Sequence, residues 1–188
     1  LNGGPGAPAF LFVASRHQDV ARQPLSGWMG HAAPFDFEQR YRPAEGITRH
    51  LAGTPAILAL VALEEGVDLY LEAAAEDIRR KSVLMTECFD ALVAQECGDY
   101  GLTLASPGDP GKRGSQVCFR HDEGYAIIQA LIGRGVIGDF RTPDILRFGF
   151  APLYLRYQDL WNAVIHLRHV MDKREWDSPE FRIKAAVT

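Results

Sequence analysis

The sequence predicts an α/β protein in two parts, and three observations predict it. Residues 99–173 run strand, strand, helix, strand, strand, helix, the order of a small α+β domain. Residues 1–74 have no such self-contained order and read as the end of a larger domain. Between them, residues 75–98 carry one long amphipathic pattern, a linking helix. The expected organisation is therefore 1–74, 75–98 and 99–188.

Each element rests on its own pattern. Residues 1–9 are rich in Gly and Pro and predict a loop. The run Ala9-Phe10-Leu11-Phe12-Val13 is short, apolar and aromatic, which favours a buried strand. From 21 to 50, Pro24, Gly27, Gly30, Pro34, Pro43 and Gly46 break every regular pattern, and so long an irregular stretch is often functional. Thr54-Pro55 predicts a helix start, with Thr54 as N-cap and Pro55 in the first turn. The helix that follows carries Ile57, Leu58, Leu60, Val61, Leu63 and Val67 on most sides, the pattern of a buried helix.

From Ala75 to Cys97, Ile78, Ser82, Met85, Phe89, Leu92 and Val93 recur at three-to-four spacing, with charged residues between them. Leu102–Leu104 and Gln116–Phe119 predict strands around a polar loop. Ile127, Ile128, Leu131 and Ile132 predict a helix over 124–134. Val136–Gly138 and Ile145–Phe148 predict two further strands. Leu160, Val164, Leu167 and Met171 predict a final helix over 158–173, and the polar tail from Arg174 is expected to be extended.

Composition narrows the function. A net charge of −4 over 188 residues gives no general attraction to nucleic acid or to an anionic membrane. No apolar run approaches the ~18 residues of a membrane helix. The three cysteines, Cys88, Cys97 and Cys118, form no C-x-x-C pair and fit a reducing compartment. The six histidines have no zinc-ligand spacing; His166 and His169 share a helix face without a supporting cysteine.

Four features can carry chemistry. The Leu1–Gly6 loop could cradle a phosphate or be a plain turn. In Gly27-Trp28-Met29-Gly30-His31, an indole N–H between glycines can donate to an anion, or the ring can anchor the loop. His31 reads as a structural hydrogen-bonding residue rather than a base. At Gly53-Thr54-Pro55, the Thr54 hydroxyl either binds an anion or caps the helix. Arg147, inside Leu146-Arg147-Phe148, is expensive to bury unpaired. Its planar fork suits a carboxylate, either of a ligand or of a protein side chain.

The segments LNGGPGAPAF (1–10), QPLSGWMGHAAPF (23–35), GDFRTPDILRFGFAPLY (138–154) and the closing region through KREW (173–176) together resemble the bacterial kynureninases. The resemblance spans nearly the whole chain. It implies a fold-type-I, PLP-dependent transferase-like fold: the end of the PLP-binding large domain, then the small domain. It also implies a homodimer with shared active sites. The implied reaction is hydrolytic Cβ–Cγ cleavage of L-kynurenine to anthranilate and L-alanine in tryptophan catabolism, on the kynurenine route to NAD biosynthesis.

By that resemblance, Trp28 and Thr54 bind the phosphate of pyridoxal 5'-phosphate and reach the neighbouring subunit's active site. Arg147 binds the substrate carboxylate. Gly53 lies where a serine in some relatives favours 3-hydroxykynurenine, which implies plain kynurenine here. Two positions depart from the family pattern: Met29 replaces a usual aromatic, and Gly53-Thr54-Pro55-Ala56 replaces Gly-Thr-Gln-Pro. The Schiff-base lysine of the family precedes its Leu-Asn-Gly-Gly loop, so it is expected two residues before Leu1. No catalytic lysine is expected within this chain, and the chain alone is expected to be inactive. Cytoplasmic location is the default expectation. The alternatives are another fold-type-I enzyme, an aminotransferase or cysteine desulfurase, and a non-catalytic dimerising fragment.

Overall fold

A computed structural model describes residues 6–183. The Leu1–Gly6 loop and the lysine at 184 therefore fall largely outside the described residues. The chain forms two compact units, the first ending at Glu72 and the second beginning at Ala73.

The first unit is mostly irregular. A single helical turn, α1 (Ser15–Gln18), precedes two 3-10 turns, Trp28–Gly30 and Gly46–His50. One isolated bridge pairs His31 with Pro43. The unit ends in α2 (Ile57–Leu71). Two expectations fail here. Residues 9–13 form no strand, and Phe10 and Phe12 are exposed. A strand needs a hydrogen-bonded neighbour, and the described residues supply none to this segment. Nor is α2 buried: no residue of it is, and Leu58 and Leu71 lie open. Among the described residues of the unit, no surface fully buries its apolar side chains.

The second unit is an α+β fold with a single core. Helix α3 (Ala75–Cys97) turns Ser82, Met85, Thr86, Phe89, Val93 and Cys97 inward, a stripe at helical spacing. Then come β1 (Thr103–Leu104), β2 (Gln116–Arg120), α4 (Gly124–Gly133), β3 (Asp139–Arg141), β4 (Ile145–Gly149), α5 (Tyr157–Asp172) and the short α6 (Pro179–Arg182). The strands form one antiparallel sheet in the order β1-β2-β4-β3. Phe89 of α3 meets Phe148 at a tilt and Phe150 edge-on, each with ring centroids 5.1 Å away. Helix α5 packs on α3 and α4.

The strand expected at 136–138 lies at 139–141 instead. Gly138 is buried tightly against Ile128, and the ladder opens only once Asp139 faces Arg147. The tail is not extended. Trp176 is buried between the guanidinium groups of Arg174 and Arg182, which Asp177 bridges.

Candidate binding sites on the two units

In the first unit, two glycines let the Trp28 turn dock on the chain before α2. A Cβ on Gly27 would lie 1.8 Å from the Ala52 carbonyl oxygen, and one on Gly30 would lie 2.5 Å from that of Leu51. Only hydrogen fits in either place, so the backbone of the 27–30 turn seats directly on residues 49–52. The indole of Trp28 then lies over the next residue: its Nε1 is 4.0 Å from the place a Cβ on Gly53 would occupy. Trp28 and Gly53 are thus brought together, with Thr54 adjoining. Trp28 remains about half exposed and meets Phe35 edge-on. Neither its indole N–H nor the Thr54 hydroxyl has a hydrogen-bond partner among the described residues.

Thr54 is not the helix cap. Helix α2 begins at Ile57 with Ala56 in the cap position and no side-chain cap hydrogen bond. That removes the competing use of the hydroxyl. His31 has the structural role read from the sequence. Its Nδ1 accepts from the Ala33 N–H at 2.9 Å, so Nε2 carries the proton and faces the Arg40 carbonyl at 3.3 Å. Tyr41 packs against its ring and donates to the Gly30 carbonyl at 2.9 Å.

In the second unit, Arg147 sits on β4 between buried Leu146 and Phe148. Alternation along the strand turns Arg147 to the opposite face of the sheet, where it keeps about a third of its side chain exposed. Its register partners there are Cys118 on β2 and Asp139 on β3. Arg147 Nη2 donates to Asp139 Oδ2, so a protein carboxylate does meet this guanidinium. The contact uses one nitrogen and one oxygen. Arg141 Nη2 donates to the same oxygen at 3.0 Å. Two guanidinium groups therefore share one carboxylate, and the cluster of 139, 141 and 147 holds a net positive charge. The other oxygen, Asp139 Oδ1, is buried without a partner among the described residues.

Sequence reasoning missed Asp139. The signal was available: 139 and 147 are symmetric about the turn at Pro143, so a hairpin centred there pairs them. Displacing the strand to 136–138 hid it.

The remaining features are structural. An apolar hollow of about 200 Å³ in this unit is lined by Phe89, Val136, Phe150 and Leu160. Its one carboxylate, Asp159, is held by Arg156 in the α5 cap, which keeps it below the usual carboxylate range. Lys81 Nζ donates to the carbonyls of Pro152 and Leu155 at 2.6 and 2.9 Å, and Lys112 faces Asp109 in a loop. Lys173 caps α5 through its backbone. No cluster that could hold a metal ion occurs among the described residues. No helix of the described residues is long and apolar enough to cross a membrane.

Comparison with known proteins fixes the relationship. The kynureninase of Burkholderia mallei (strain SAVP1) is 50% identical over all 188 residues. That of Pseudomonas fluorescens is 47% identical over the same span. In both cases the chain spans 45% of the relative's length. Among solved structures, a C-DES mutant with glycine covalently linked to its PLP cofactor has a TM-score of 0.69 at 17% identity, covering 84% of this chain and 40% of that one. The apo cysteine desulfurase of Thermococcus onnurineus NA1 has a TM-score of 0.67 at 16% identity, covering 86% and 42%. At such identities these likenesses establish the fold, that of the C-terminal part of a fold-type-I enzyme. Residues 78–167 match the Kynureninase C-terminal domain family. The chain is therefore similar along its whole length to the kynureninases, and residues 78–167 of its second unit match the kynureninase C-terminal domain model.

Proposed function

We propose that this chain is the carboxylate- and phosphate-binding part of a PLP-dependent hydrolase, a kynureninase, that cleaves L-kynurenine to anthranilate and L-alanine. The single observation that carries the reading is Arg147. Its fork is partly open, only one nitrogen is engaged, and its cluster retains positive charge for an incoming carboxylate. Pairing with Asp139 does not fill the fork, because an arginine has five N–H donors.

The residues of the first unit suit a phosphate. The indole N–H of Trp28 is a donor only, it has no other partner among the described residues, and glycine at 53 leaves it uncovered. Thr54 adds a hydroxyl released from helix capping. Trp28 and Thr54 are the proposed cofactor ligands and Arg147 the substrate ligand. Gly53 leaves no side chain beside the phosphate site, which favours kynurenine without a ring hydroxyl. When bound, PLP supplies the electron sink for bond cleavage. The protein's part is orientation: Arg147 fixes the substrate by its carboxylate, and Trp28 and Thr54 fix the cofactor by its phosphate.

None of the lysines at 81, 112 and 173 is free at a buried strand end. Lys81 in particular is committed to two carbonyls. The kynureninases this chain resembles are more than twice its length, and catalysis is assigned to a polypeptide of that length, working as a homodimer with shared active sites. The apolar residues that the first unit leaves exposed, Phe10, Phe12, Leu25 and Leu58 among them, favour such an assembly. Three free cysteines fit a cytoplasmic enzyme.

Incubating the complete polypeptide with PLP and L-kynurenine tests the reading. Release of anthranilate with stoichiometric alanine is expected. Transfer of the amino group to an oxo acid, or sulfur release from cysteine, would replace it by one of the alternative fold-type-I activities.

A further inference from the structure

We infer that Asp139 is a positioning residue for Arg147, an inference that rests on the reading of Arg147 as the substrate-carboxylate ligand. The side chain of Arg147 leaves the face of β4 that the helical core does not cover, and an arginine there is free to adopt many rotamers. Asp139 stands directly across the β3–β4 ladder and holds Nη2 through one oxygen. The guanidinium is thereby fixed before any ligand arrives, with its remaining donors free among the described residues.

The charge pattern supports positioning over simple neutralisation. Arg141 draws on the same carboxylate oxygen at 3.0 Å, so Asp139 cannot cancel both cations. The neighbouring pair, Arg120 with Asp144 at 2.9 Å, is balanced in itself and lends no further negative charge. An incoming carboxylate completes the balance. Ordering of Arg147 is a cost the ligand no longer has to meet, and preorganisation of this kind improves binding without a new contact.

The test uses the complete PLP-loaded polypeptide, with L-kynurenine and its decarboxylated analogue as paired probes. Asp139→Asn is expected to raise the KM for L-kynurenine about tenfold while kcat changes less than about threefold. Binding of the decarboxylated analogue, measured at equilibrium, should not change. Asp139→Glu, which can still bring one oxygen to Nη2, should recover most of the loss. In an Arg147→Met background, Asp139→Asn should add less than about twofold, because residues that act as a unit are not additive. If the asparagine protein does not fold, Asp139→Ser takes its place in the same cycle. A KM that stays level or falls in the asparagine protein, or a full-sized effect in the methionine background, overturns the inference while leaving the role of Arg147 standing. An unchanged KM in Arg147→Met alone overturns that role, and this inference with it.

Discussion

Position 147 puts a guanidinium between Leu146 and Phe148, both buried, on a strand in the middle of the sheet. Strand alternation alone carries it to the other face. Lysine cannot reproduce the planar fork there, so Arg147→Lys in the complete enzyme is expected to weaken kynurenine binding by about tenfold or more, read as KM. Trp28→Phe keeps the ring but removes the N–H. Since a hydrogen bond to a charged group is worth about 1.5–3 kcal/mol, the affinity for PLP should fall by roughly ten- to a hundredfold, measured by equilibrium dialysis. At this scale the sequence was informative where one residue broke a local rule: a charge in an apolar strand, an indole between glycines. It was uninformative where the site depends on register. Asp139 looked like any strand-end acid until the β3–β4 pairing set it opposite Arg147.

The helices of the second unit were legible because their own periodicity buries them. The inward stripes of α3 and α5 contain most of the residues that the helical spacing selected. Phe89 lies at the centre, and Phe89→Ala should cost about 3–5 kcal/mol of stability by denaturant unfolding. On the same stripe, burial pushes the Cys97 thiol up to about 11. Alkylation at pH 8 should spare Cys97 in the native protein and modify it only on unfolding. The tail was less legible, since its order comes from two arginines closing on Trp176. Arg174 first, and then Arg182, hold the Asp177 carboxyl below its ordinary value. A lowered folded-state value means the stabilisation is complete above the unfolded carboxylate range and is lost as the pH falls through the folded one. Fluorescence of Trp176, followed in a protein with the other tryptophans replaced, should hold steady from pH 7 to 5 and change only below about 4. Asp177→Asn should remove that step.

At the scale of the whole molecule, the two units differ in how much of their structure is their own. The second closes a core around Phe89, Leu146 and Val164. The first relies on Gly27 and Gly30 for backbone contact and leaves α2 and residues 10–12 uncovered. The apolar sequence predicts a buried strand over 9–13 and a buried α2, but burial depends on what lies opposite, and the described residues of the first unit supply nothing there. The chain spans 45% of the kynureninases it matches. Supplied with PLP and borohydride, the 188-residue chain alone should yield no specific adduct on Lys81, which two carbonyls already hold.

Arg147 is proposed to receive a substrate carboxylate, and Trp28 a cofactor phosphate. A crystal structure of the complete enzyme with PLP and a non-cleavable kynurenine analogue decides both roles. A carboxylate of the analogue is expected within hydrogen-bond distance of the Arg147 guanidinium, and a phosphate oxygen on Trp28 Nε1. The role of Arg147 is contradicted if the carboxylate binds elsewhere while Arg147 keeps Asp139 as its sole partner.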